Sequence, residues 1–111
     1  MATTESFRQL AQEPIASGAP DDIYTVPAST QTIIKHITIV NPTGANCWVK
    51  LWTAGTGDSN LILPQVTIDA GGWAEFGEDS LTLHTGVILY AQAQTNDALT
   101  ITVMGLEITT S

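Results

Sequence analysis

Residues 31–52 read QTIIKHITIVNPTGANCWVKLW. Two runs rich in β-branched and aromatic residues flank a short insert whose Asn41, Pro42 and Gly44 carry turn chemistry. The second run alternates strictly. As a β-strand it sends Cys47, Val49 and Leu51 to one side and Trp48, Lys50 and Trp52 to the other. The first run keeps parity only in its second half, where Ile37 and Ile39 are core candidates and His36 and Thr38 face outward. Ile33, Ile34 and Lys35 break that parity, which predicts a bulge.

The same grammar extends on both sides. DIYTV comes first and is followed by PAST. After the tryptophan run come the Gly loop AGTGDSN and then LILPQVTI, where Pro64 argues for an edge strand or a break. DAGG, WAEF, GED, SLTL and HTG follow as alternating turns and short strands, and TND is read as a hairpin between VILYAQAQ and ALTITVMGLEIT. Val87, Leu89, Ala91 and Ala93 share one side of their strand, as do Leu99, Ile101 and Val103 of the next. Gly105 marks a bulge or bend at which the inward set passes to Leu106 and Ile108. With no βα alternation, the expectation is all-β: a single antiparallel β-sandwich, jelly-roll-like, of about eight short strands with an extended N-terminal arm.

Residues 1–21 are the predicted arm and residues 22–111 the sandwich domain. The arm has only Phe7, Leu10 and Ile15 as large apolar anchors, and residues 4–12 suggest one short amphipathic turn or helix with Phe7 and Leu10 on one side. SGAPDD closes it with breaker residues.

At 111 residues the chain is one domain with room for its own core. Charged residues make up 13%, against about a quarter in an average soluble protein, which suits a surface largely covered by neighbours. Three basic residues, Arg8, Lys35 and Lys50, stand against eleven acids for a net charge of −8, so the chain cannot neutralise several phosphates and nucleic acid is not an expected partner. Residues 23–57 hold both lysines and no acid, whereas residues 58–111 hold seven acids and no Lys or Arg, an asymmetry that can bring unlike faces of subunits together. No secretory signal and no apolar run of about 20 residues is visible, so the expectation is a protein made in the cytoplasm and soluble there, with no membrane partner.

Catalytic chemistry has little to draw on. His36 and His84 have no spacing that lets both hold one metal, and Cys47 has core parity and no activating neighbour. Asp58, Asp69, Glu78 and Asp79 lie in loops but not in the register of a calcium loop, and no phosphate-binding Gly-Lys loop exists. No catalytic residue, metal or cofactor is assigned. What remains is contact chemistry: Trp48, Lys50 and Trp52 on one face. That face is a second buried layer, a subunit interface, or a sugar-stacking platform, and Trp73 beside Gly71 and Gly72 is read as capping the end of the sandwich.

IYTVPASTQTIIKHITIVNPTG, beginning at Ile23, together with Thr102, Val103, Gly105, Glu107 and Ile108 of the last strand, resembles a group of small virion proteins of tailed bacteriophages. LHTGVILYAQAQTNDALTITV resembles that group's ending, with Val87 where an aspartate is usual. The resemblance spans most of residues 22–109. It implies a β-sandwich that is a structural part of the virion, and it brings no catalytic residue.

The sequence therefore predicts a non-enzymatic bacteriophage virion protein, most concretely a homo-oligomeric capsid decoration or cement protein. Its partners would be the major capsid protein or tail and neck proteins, met through Phe7, Leu10, Ile15, Trp48, Lys50 and Trp52. The alternative is a tail, neck or fibre-associated module that binds host-surface glycans.

Overall fold

The computed structural model describes residues 3–76 and 81–110, with every side chain among them except those of Asp58 and Pro64. Among these residues nine strands follow in chain order: β1 (Thr3–Pro14), β2 (Asp21–Thr25), β3 (Thr30–Val40), β4 (Cys47–Thr53), β5 (Leu61–Ile68), β6 (Trp73–Phe76), β7 (Leu81–Leu83), β8 (Ile88–Ala93) and β9 (Thr100–Thr110). They form two antiparallel sheets. Sheet A runs β1-β9-β3-β6 with β7 also on β3, and sheet B runs β2-β8-β4-β5. Strands β6 and β7 pair with successive stretches of β3, residues 37–40 and 32–34, and so fill one position in the sheet. Counted by position there are eight strands in the 1-9-3-6 and 2-8-4-5 order of a jelly roll, as the spacing of the turns predicts.

Alternation decides what is buried. Cys47, Val49 and Leu51 of β4, Leu89, Ala91 and Ala93 of β8, and Ile101 and Val103 of β9 all face the space between the sheets, with Ile37 and Ile39 of β3. Hydrophobic burial on this face is the main stabilising term. The predicted bulge is present: β3 shifts register between Ile34 and His36, which moves its inward set from even to odd residues.

Three expectations are corrected. Residues 4–12 are neither a turn nor a helix but most of β1, paired with β9 along its whole length. Its backbone groups find partners in β9, and no helix of that length would be stable without an apolar face to bury. Second, β8 and β9 are not a hairpin, because they lie in different sheets and residues 94–99 arch between them. Ala98 and Leu99 are buried, and the Ile15 N–H donates to Leu99 O while the Asp97 N–H donates to Ile15 O, so this segment is a floor of the core. Third, β9 does not change parity at Gly105. Its inward set continues as Gly105 and Glu107, and the compensating shifts fall in β1, between Gln9 and Ala11, and in β3.

Gly105 explains both shifts. A Cβ there would lie 2.5 Å from Ile33 O and 2.9 Å from Leu10 Cδ1, so the flanking strands close over a position with no side chain. The long strands of sheet A give the molecule its extents of 51 × 25 × 21 Å. Towards the end that holds the start of β1, the inner face turns polar, with Thr30, Thr32 and Glu107 buried. The turn GED and the acids Glu78 and Asp79 lie outside the described residues.

Candidate assembly surface

The predicted contact face is the outer side of sheet B, and its members divide. Trp48 and Lys50 are half-buried, and the Lys50 ammonium lies 5.5 Å from the centroid of the Trp48 ring, a cation–π contact. Trp52 is only 4% exposed and stands between Tyr90 of β8 and Leu61 of β5. Its indole Nε1 has no acceptor among the described residues. A buried Trp52 presents no ring face for stacking, so the pair of exposed rings that a sugar platform needs is not formed. Of the arm anchors, Ile15 is fully buried under the 94–99 arch and Leu10, the bulge residue of β1, packs against the core. These two apolar side chains are used within the chain. Phe7 alone is strongly exposed, at 61%.

Phe7 belongs to a surface that parity misassigned. The register places Phe7 beside Leu106, Leu106 beside Ile33 and Ile33 beside Thr82, all on the outer face of sheet A. Ile108, one step along, lies between Glu5 and Gln31 on the same face. At the other end of the sheet a row runs Pro14, Thr100, Val40 and Trp73. Trp73 is 66% exposed and does not cap the sandwich. Among the described residues, three of the four exposed large apolar side chains, Phe7, Val40 and Trp73, thus share one sheet face. Between the two apolar rows lie Gln12, Thr102, Thr38 and Glu75, and His36 Nε2 sits 3.9 Å from Glu75 Oε2. The missed signal was the alternation of Leu106 and Ile108 with the buried Glu107, which only the partner of Glu107 makes sense of.

That partner is a polar cluster on the inner side of the same end. Tyr24 Oη donates to Glu107 Oε2 at 2.5 Å and accepts from Thr32 Oγ1 at 2.8 Å, while Arg8 reaches the other Glu107 oxygen at 2.6 Å. The arrangement fixes β1 to the body of the sandwich through a buried carboxylate. Burial, and then the hydrogen bond to Glu107, push the Tyr24 phenol up to about 12. Glu13, further along β1, is raised by burial and by Asp21 beside it. Elsewhere an apolar cavity of about 200 Å³ lies between the sheets, with Ile34, Ile37, Leu51 and Phe76 in its lining. Among the described residues it offers no polar side chain to orient a substrate.

No protein-family model and no curated protein matches the sequence. Solved structures do match. A chain from the virus-like particle of the extra small virus of the giant freshwater prawn Macrobrachium rosenbergii is 12% identical with a TM-score of 0.56, the match covering 100% of this chain and 82% of that one. A chain of the acid-stable capsid of Helicobacter pylori bacteriophage KHP30 is 12% identical with a TM-score of 0.57, covering 99% and 95%. A chain of the T13 particle of the virus IBDV is 9% identical with a TM-score of 0.58, covering 96% of this chain and only 31% of that one. The fold is the jelly-roll-like β fold of these viral capsid chains.

Proposed function

We propose that the chain is a structural subunit of a virion, a non-enzymatic bacteriophage protein that decorates or cements a capsid as a homo-oligomer. The observation that carries the reading is a likeness to capsid chains that takes in the whole sandwich, including 95% of a bacteriophage capsid chain of similar extent. The sheet A face supports it. A lone subunit gains nothing from Phe7, Val40 and Trp73 in water, whereas aromatic side chains are what protein interfaces use as anchors. Neighbouring coat subunits would cover that face and the arm, and Trp48 with Lys50 would form a second contact across the molecule.

Particles of the source virus, purified by density, supply the test. Mass spectrometry should find the chain in copy numbers that scale with the major capsid protein, and a chain lacking residues 2–9 should be folded but missing from the particles. Particles without the chain, or normal occupancy by the shortened chain, would overturn the reading.

A further inference from the structure

We propose that two copies of this chain join through β1, edge to edge and antiparallel, about a two-fold axis at Phe7. The pairing names the neighbour that the arm meets. It rests on the capsid reading for its biological setting alone, since it is a property of the free chain.

The first observation is an open edge. One side of β1 is paired with β9 throughout, and β1 ends the order of sheet A, so its other side has no strand partner among the described residues. Exposed edges usually carry lysines, prolines or inward charges that discourage pairing. Before Pro14, β1 carries no lysine or proline, and over residues 3–9 its one inward charge, Arg8, is engaged by Glu107 of the adjacent strand. Residues 3–9 are exposed and run without a register shift, a flat stretch able to accept another strand.

The second observation is an apolar row that stops at this edge. Ile33, Leu106 and Phe7 lie side by side across three strands, and Phe7 at the rim is the most exposed of them. A second β1 with its own Phe7 directly opposite continues the row through Leu106 and Ile33 of the second copy, covering both rings.

Charge selects this register from its competitors. A two-fold axis perpendicular to the sheet keeps outer faces outer, so each face-preserving register is centred on one residue. Centring on Glu5 opposes two carboxylates, and centring on Arg8 opposes two guanidiniums. Centring on Ser6 sets Glu5 against the Phe7 ring. With Phe7 on the axis, Glu5 faces Gln9 and Ser6 faces Arg8, and no like charges meet.

Light scattering on the purified full chain tests this, in enough salt to screen repulsion between two chains of net charge −8. Wild type should be a dimer whose melting temperature rises with concentration, and Phe7→Asp a monomer that still unfolds in one cooperative transition. Under mild oxidation Phe7→Cys should cross-link to itself, whereas Glu5→Cys and Gln9→Cys should cross-link only when mixed; buried Cys47 leaves the background low. A monomeric wild type, a dimer indifferent to Phe7→Asp, or equal self-coupling at all three positions would overturn the proposal. None of these outcomes bears on whether the chain is found in particles.

Discussion

Asn41 uses every hydrogen-bonding position of its side chain. Its Nδ2 donates to Ala45 O at 2.8 Å and to Ile68 O at 2.9 Å, and its Oδ1 accepts from the Thr43 N–H at 3.1 Å and from Thr43 Oγ1 at 2.6 Å. One buried amide thereby joins the end of β3, its own turn and the end of β5. The turn was legible because Asn, Pro and Gly announce it locally. The Tyr24–Glu107 pair was not, because the two residues are 83 positions apart and nothing local in either strand marks them. That pair predicts a pH effect. A phenol held up to about 12 binds its proton more tightly folded than unfolded, so its contribution is intact below pH 10 and is lost as the pH rises to about 12. Wild-type stability should fall on the order of 2–3 kcal/mol more than that of Tyr24→Phe across this window, as read by urea denaturation at each pH. Parallel curves would show that the phenol is not held in this way.

At the level of strands, sequence parity read single strands well and their partners poorly. β4, β8 and the first half of β9 bury the residues that alternation assigns to the core, and the broken pattern at Ile33, Ile34 and Lys35 is a real bulge. The break near Gly105 was also visible, but it lies in the strands beside β9. Gly105→Ala should therefore act on three strands together. Backbone at Ile33 cannot move aside as a flexible side chain does, so the substitution should cost about 1–3 kcal/mol and lower hydrogen-exchange protection in β1 and β3 as well as β9. An effect confined to β9 would refute the paired-bulge account. β1 escaped recognition because an edge strand with mostly polar side chains on both faces has no period to detect.

Over the whole molecule, the all-β class and the count of eight positions followed from turn spacing, while the assignment of strands to sheets did not, since sheet membership is set by contacts distant in sequence. The arm is part of that architecture. Residues 3–9 lie at its margin, but Ile15 is fully buried beneath the 94–99 arch, so removing residues 2–9 should leave a cooperative unfolding transition and removing residues 2–20 should abolish it. Calorimetry on the two truncated chains distinguishes them, and a folded 2–20 deletant would show that the segment is dispensable.

The position of β9 has a further consequence, in time. It lies between β1 and β3 at the middle of sheet A, yet it is synthesised after every other strand of that sheet. Until the ribosome has delivered it, β1 and β3 have no common neighbour and sheet A cannot close. Folding is then a late, non-local event, slow by comparison with a meander of hairpins. In the interval the nascent chain offers unpaired edges to whatever strands are nearby, including those of other copies being made.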